Sequence, residues 1–514
     1  MVVGGGHGVT LGWRLLIVGE ATSPGAFAST DVATAAIPSA MIRRMTPAAA
    51  SGRPRPPSVE RVLALVRAAL PGADPAALAT LVRDVLDAER AKLASGAPAA
   101  TVEALAEDAV ARAIAFTDPA APDGPVPPRV INATGVILHT NLGRAPWPQA
   151  AIAAAVTAAG SYGYLELDEA TGRRGRRFRT AEAHLVALTG AEDALVVSNN
   201  AAALLLAVGL AGRRGSVVVS RGELVEIGGG VRIPEVVARA GVRLVEVGTT
   251  NRTRAADFEG SLAEGRAAVV LRVHPSNFTQ TGFTESADLA QVAAIAHLHG
   301  ALVIDDLGSG ALLDTAAFGL AHEPTPAERL AAGADVVVFS GDKLVGGPQA
   351  GLVVGRRELI ARLRRDPLAR AMRPDKAILA GVAATLGLYR AGRAVTEVPV
   401  WQMIARDVAE LRSRAETIGA AVGLAVPDTG GAGVEVAALE SPVGGGSLPG
   451  QVLPSAGLVV RVPSPDRAAA LLRGGADRVL ARIEADKLVL DLRTVDPADD
   501  EVLARRVAGI VARR

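Results

Sequence analysis

Between Asp335 and Gly351 the chain reads DVVVFSGDKLVGGPQAG. The unbroken apolar run from Val336 to Phe339 has the composition of a strand buried on both faces, and Ser340-Gly341-Asp342 ends it. Lys343 comes directly after, past the carboxyl end of the strand, where open α/β sheets bind their ligands. Gly346-Gly347-Pro348 then marks a turn. A partly desolvated lysine amine is a Schiff-base nucleophile, a role closed to a guanidinium that never loses its charge. That distinction carries weight here, because only Lys92, Lys343, Lys376 and Lys487 among the 54 basic residues are lysine. Lys92, in the amphipathic LVRDVLDAERAKL, and Lys487, at a hairpin turn, read as surface, and Lys376 stands at a helix start after Arg373-Pro374-Asp375. Lys343 is the exception.

Two further strand ends complete the pattern. ALVIDDLGSGAL places Asp305 and Asp306 at the end of a strand, with small residues after them that permit close approach. An aspartate there is the partner that the protonated pyridine nitrogen of pyridoxal phosphate needs to act as an electron sink. ALVVS runs into Asn199-Asn200-Ala201, the start of an apolar helix and hence an anion seat. Ser340, three residues before Lys343, is a further phosphate ligand. Taken singly, a lysine after a strand is usually surface and an aspartate at a strand end usually a cap. Amine, carboxylate and anion seat on three strand ends together specify a pyridoxal-phosphate cradle.

Around these strands the text alternates β-branched runs with Ala-rich helical runs: Ala194 to Ser198, Ser216 to Ser220, Val242 to Val247, Ala267 to Val273, Ala301 to Asp306, Asp335 to Ser340 and Ala350 to Gly355. The fold class is α/β, with a mainly parallel seven-stranded sheet covered on both faces. Residues 129–390 are expected to form this large, cofactor-binding domain, and 391–514 a smaller α+β domain. Residues 57–128 read as a small helical domain, with Ser58 as its first N-cap, and then a Pro-rich linker. Residues 1–56 are rich in Gly, Ala, Ser, Thr and Pro and are expected to be a disordered extension; Met41 and Met45 are alternative starts.

Composition narrows the chemistry. The chain of 514 residues has a net charge of +1 and no cysteine, which excludes disulfides, Cys-ligated zinc, iron–sulfur clusters and thiol nucleophiles. No apolar run approaches a membrane span, so a cytoplasmic protein without a membrane partner is expected. No metal is expected either: His297 and His299, two apart on a helix, point away from each other. The glycine runs lack the strand, helix and acid of a dinucleotide fingerprint. His139 and His274 are candidates for the pocket wall.

Long stretches resemble bacterial selenocysteine synthase, the L-seryl-tRNA(Sec) selenium transferase family. They include INATGVILHTNLGRAPW (Ile131 to Trp147), YLELDEATGRRGRR (Tyr164 to Arg177), VVVSRGELVEIGGGVRIPEV (Val217 to Val236), RVHPSNFTQTGFT (Arg272 to Thr284), SGDKLVGGPQAG and DPLARAMRPDKAILA (Asp366 to Ala380). The likeness returns in GGGSLP (Gly444 to Pro449). It implies a homo-oligomeric enzyme of the aspartate-aminotransferase fold (fold type I), decameric in the family. Such an enzyme converts L-seryl-tRNA(Sec) to L-selenocysteinyl-tRNA(Sec) with selenophosphate, through an aminoacrylyl-tRNA. The resemblance makes Lys343 the cofactor lysine and assigns Arg144, Arg370 and Arg373 to the phosphate or selenium donor. Arg370 and Arg373, three apart, would share a helix face. Asp342 is a candidate for proton transfer or for a structural role at the turn. The family's N-terminal helical domain binds the tRNA, yet Met41 to Arg129 holds 11 basic against 10 acidic residues, so a basic face there requires clustering. A tRNA-free pyridoxal-phosphate lyase acting on a small amino acid or amino-sugar acid is the alternative. A non-catalytic RNA-binding scaffold is a third reading, opposed by Lys343, Asp306 and Arg144.

Overall fold

The computed structural model describes residues 55–118, 124–175, 177–265, 267–426 and 433–512. Residues 1–54, nearly all of the expected disordered extension, lie outside them. The chain divides into two compact units, Met1–Pro128 and Arg129–Arg514.

The described part of the first unit is three helices, α1 (Val59–Ala69), α2 (Pro75–Ala94) and α3 (Val102–Ala115). Their apolar residues recur every three or four positions and meet in one core built from Val62, Val66, Leu81, Val85, Leu105 and Ala109. Asp74 and Thr101 cap α2 and α3, accepting from the Ala77 and Ala104 N–H groups. Ser58 does occupy the N-cap of α1, but its side chain makes no cap bond.

The second unit is built on a seven-stranded sheet. In chain order the strands are β1 (Asp193–Val197), β2 (Ser216–Ser220), β3 (Arg243–Val247), β4 (Val269–Val273), β5 (Leu302–Gly308), β6 (Val336–Ser340) and β7 (Gly351–Gly355), arranged β1-β7-β6-β5-β4-β2-β3. All pairings are parallel except those of β7, which runs antiparallel to both β1 and β6. Alternate residues feed two different cores. Ala194, Val196, Val218, Val303, Val337 and Leu352 belong to one, and Leu195, Val197, Val217, Val219, Ile304 and Val338 to the other. Period-two alternation of residues that are apolar on both sides is what a doubly covered sheet demands. The edge strand β3 departs from it, with exposed Arg243 and Glu246.

This topology brings the sites together. Because β7 is antiparallel, its first residue Gly351 pairs with both Val197 and Ser340, so the carboxyl ends of β1 and β6 lie on one edge of the sheet. The carboxyl ends of β4 and β5 share that edge. A Cβ at Gly351 would stand 2.2 Å from the Asn199 carbonyl oxygen, so only glycine lets the loop of β1 approach this closely.

Residues beyond the sheet form an antiparallel four-stranded layer, β8 (Val434–Pro442), β9 (Val452–Val460), β10 (Arg482–Glu484) and β11 (Lys487–Asp491), in the order β8-β9-β11-β10. Ala485 and Asp486, both at positive φ, make the two-residue turn before Lys487. The helices Val408–Ala425 and Asp500–Val511 cover this layer, and Ile131 and Ala133 join its core. The short strand Val130–Asn132 pairs in parallel with Arg478–Leu480. The start of the unit is thereby packed against its end.

Candidate active site

The strand ends open on a cavity of about 260 Å³. Lys343, Asp342, Ser340, Asp306, Asn199, Asn200, Ala201 and Arg144 all line it. Lys343 is held by its own loop: the Leu344 N–H donates to the Ser309 carbonyl at 3.1 Å, and Gly346 N–H to the Lys343 carbonyl at 2.9 Å. The buried Tyr389 hydroxyl donates towards the Leu344 and Val345 carbonyls, 3.0 and 2.8 Å away. Burial, and next the Arg144 charge, pull the Lys343 pKa below its usual value, while Asp306 opposes them. A Cβ on Gly446 would lie 2.6 Å from Lys343 Nζ, so this left-handed glycine leaves the amine its room.

Asp306 is buried on β5, and burial pushes its pKa up to about 6 against the opposing Asn200 hydrogen bond and the Lys343 charge. Asn200 Nδ2 donates to Asp306 Oδ1 at 2.8 Å, as does the Gly308 N–H at 3.1 Å. Asn200 Oδ1 is buried with no hydrogen-bond partner, a polar atom left for something in the cavity. Asn199 caps the helix α4 (Asn200–Val208), accepting from the Ala202 N–H, so the first turn of that helix faces the cavity.

Arg144 reaches in from a strained turn. Gly143 and Arg144 both adopt the left-handed conformation, with φ of 88° and 63°, a costly state for a residue with a Cβ. The Arg144 N–H donates to the His139 carbonyl at 3.1 Å, and Nη1 to Asp342 Oδ2 at 2.7 Å. Asp342 is therefore placed to aim Arg144, and its backbone carbonyl accepts the Ala145 N–H.

The placement expected of Arg370 and Arg373 on one helix needs correction. They do not share a helix face, because Asp366 caps a new helix that starts at Pro367 and ends at Ala371. Arg370 is exposed. Arg373 lies past the helix end, donates to Glu166 Oε1 at 3.1 Å, and lines a separate cavity with Arg174 and Arg177. Arg177 also bonds Glu166, so part of the TGRRGRRFR charge is neutralised locally. His139 supplies its carbonyl rather than a wall of the cavity. His274 does line it, with Nε2 3.2 Å from the buried Glu323 Oε1. His297 is engaged by Asp335 at 3.0 Å. Ser276, Asn277 and Gln349 also line the cavity, and the sequence reading does not single them out; HPSNF and GGPQAG, stretches of family likeness, hold the signal.

These residues fit pyridoxal phosphate: a pKa-lowered amine, a carboxylate aimed by Asn200, an unpartnered amide oxygen and a helix N-terminus beside a hydroxyl and an arginine. The fold and site define a fold-type-I pyridoxal-phosphate enzyme. The family model described as L-seryl-tRNA selenium transferase matches residues 130–496, and the chain belongs to that family. Proteins named L-seryl-tRNA(Sec) selenium transferase from Rhizobium meliloti (strain 1021) and Moorella thermoacetica are both 48% identical to it, over 71% and 73% of this chain and 78% and 80% of theirs. The one from Methylocella silvestris is 43% identical over 86% of this chain and 94% of its own. Among solved structures, D-glucosaminate-6-phosphate ammonia-lyase superposes with a TM-score of 0.54 at 23% identity, covering 75% of this chain and 96% of that one, a likeness of fold.

Proposed function

We propose that this chain replaces the β-hydroxyl of the seryl group on L-seryl-tRNA(Sec) by selenium, giving L-selenocysteinyl-tRNA(Sec), with selenophosphate as donor. The observation that carries this reading is the cavity in which Lys343, Asp306 and Arg144 meet, in a chain 48% identical to transferases of that name. Pyridoxal phosphate, when bound, supplies an electron sink next to the substrate α-carbon. Lys343 Nζ binds the cofactor and is the base for the α-proton, its lowered pKa making the neutral amine available. Asp306 holds the positive charge of the pyridine nitrogen, and Asn200 orients the carboxylate. Ser340 and the start of α4 take the cofactor phosphate. Arg144, aimed by Asp342, takes the oxyanion of the selenium donor. In the balance, the seryl hydroxyl leaves as water, a carbon–selenium bond forms, and water cleaves the selenium–phosphorus bond to release phosphate.

The three-helix unit is the tRNA-binding part in this reading. Homo-oligomeric assembly, a decamer in the family, and a cytoplasmic location belong to it and rest on the family likeness. Among the described residues no helix is long and apolar enough to cross a membrane. The tRNA-free lyase is not favoured: the lyase likeness is one of fold at 23% identity, against 43–48% to the transferases.

The test is a spectral titration of the cofactor-loaded protein with seryl-tRNA(Sec), with seryl-tRNA(Ser) and free serine as controls. The cofactor absorbance is expected to shift with seryl-tRNA(Sec) alone, and not in Lys343→Ala. A normal absorbance that seryl-tRNA(Sec) leaves unmoved would sink the assignment.

A further inference from the structure

Next to the Lys343 cavity lies a larger one of about 360 Å³. Two chain segments connect them. Residues 274–280 give His274, Ser276 and Asn277 to the Lys343 side and His274, Phe278, Thr279 and Gln280 to the other. The loop after β8 sets Gly446 against Lys343 Nζ and sends Leu448, Pro449 and Gln451 to the second cavity. Leu448 is held there at a φ of 48°, a strained backbone for a leucine. The mechanism above makes no use of this second space.

Its chemistry differs from that of the Lys343 cavity. Hydroxyl and amide side chains are the largest group in the lining, among them Thr249, Thr250, Asn251, Gln280 and Thr284. Three carboxylates line it, and each has a basic neighbour: Glu223 pairs with Arg272, Glu285 with Arg254, and Glu323 stands beside His274. With these charges compensated, the hydroxyls and amides match a neutral heterocycle with amine donors and sugar hydroxyls. The buried Glu323 Oε1 has no hydrogen-bond partner, although His274 Nε2 stands 3.2 Å away. Phe278, 38% exposed, stands in the wall. Arg252 lies 6.0 Å from the centroid of Phe283, whose ring is 84% exposed. Aromatic and guanidinium planes beside hydrogen-bonding groups are what unpaired bases stack on.

We infer that the second cavity receives the 3′-terminal nucleoside of the aminoacyl-tRNA, with Phe278 stacking on the base, while the esterified seryl group reaches past His274 to Lys343. The inference rests on the function proposed above. It separates the two substrates by chemistry: the donor oxyanion goes to Arg144, and the uncharged nucleoside to the hydroxyls and amides of the second cavity.

The test uses cofactor-loaded full-length protein and deacylated tRNA(Sec) with 2-aminopurine replacing the terminal adenine and a dye at the 5′ end. Binding, monitored by dye anisotropy, should quench the 2-aminopurine emission through stacking. Phe278→Ala should abolish the quench and weaken binding about fivefold to a hundredfold with the cofactor absorbance unchanged, and Phe278→Tyr should restore both. Binding by anisotropy with the wild-type 2-aminopurine emission unmoved overturns the inference and leaves the proposed function standing; this arm needs no variant. A quench that survives in Phe278→Ala overturns it as well. No binding of tRNA(Sec) at all overturns both.

Discussion

At the scale of one residue, the burial that suits Asp306 to a pyridine nitrogen also costs the folded chain stability. Its folded pKa, raised to about 6 from 3.8, means the folded chain holds its proton more tightly than the unfolded chain does. Stability from this group is therefore fully present below about pH 4 and is lost as pH rises through about 6, by roughly 3 kcal/mol in total. The cofactor-free wild type is expected to lose urea resistance between pH 4 and 6 through this group, and Asp306→Asn to lack that loss. The amide oxygen introduced by Asp306→Asn still accepts from Asn200 and Gly308, so this variant should be the more stable protein at pH 7.5 and bind the cofactor poorly. Urea midpoints of both cofactor-free proteins at pH 4 and at pH 7.5 check the sign; equal midpoints at pH 7.5 contradict it. Lys343→Arg is a separate case. The guanidinium forms no imine and never loses its charge, so turnover should vanish, and a larger fixed charge in a site that lowers the lysine pKa should also bring the urea midpoint at pH 7.5 below that of wild type.

At the scale of elements, the turn Thr140–Ala145 and the loop after β6 are coupled through the ion pair Arg144–Asp342. Asp342→Asn keeps a hydrogen-bond acceptor but removes the charge that aims Arg144. The expected result is a several-fold rise in KM for the selenium donor with the cofactor absorbance intact. Arg144 also carries a left-handed backbone, so Arg144→Gly should be more stable than Arg144→Ala by about 1 kcal/mol, read from urea unfolding, although both lose the guanidinium. The contrast between β6 and the segment after β7 shows what a sequence can disclose. The strand ends carrying Lys343, Asp306 and Asn199 are legible because apolar runs buried on both faces have one reading, and the residues ending each run must sit on the sheet's carboxyl edge. Arg370 and Arg373 are misread because a three-residue spacing implies a shared face only inside a continuous helix. Asp366 and Pro367 restart the helix, and it stops before Arg373. The apolar LVVRVP (Leu458 to Pro463) has the composition of a strand, but β9 begins earlier, at Val452, because LPSAG (Leu453 to Gly457) is held extended by its pairing with β8 and not by propensity. Gly446 and Glu323 are illegible as site residues, since neither stands at a strand end of the large sheet and only tertiary packing brings them to Lys343 and His274.

At the scale of the molecule, the three-helix unit and the Arg129–Arg514 unit each have a hydrophobic core of their own. All residues of the Lys343 cavity belong to the second unit. We expect the division at residue 129 to be functional as well: a chain beginning at Arg129 should fold, load pyridoxal phosphate and show the wild-type cofactor absorbance. Val130–Asn132 pairs with Arg478–Leu480, and Ile131 sits in the core of the four-stranded layer. A cut a few residues later removes that parallel pairing and a buried isoleucine, a loss of roughly 2–5 kcal/mol by comparison with truncating a buried isoleucine to alanine. A chain beginning at Arg129 and one beginning at Gly135 should thus differ sharply in thermal midpoint, which a melting curve resolves. The longer fragment should also lose tRNA(Sec) affinity by at least tenfold while keeping the cofactor. Its near-neutral missing unit argues that the lost affinity comes from a local cluster of arginines and not from net charge. Binding isotherms at two salt concentrations distinguish these, since the number of phosphates contacted sets the salt slope. A fragment that binds tRNA(Sec) as tightly as the whole chain would move the tRNA interface onto the catalytic unit.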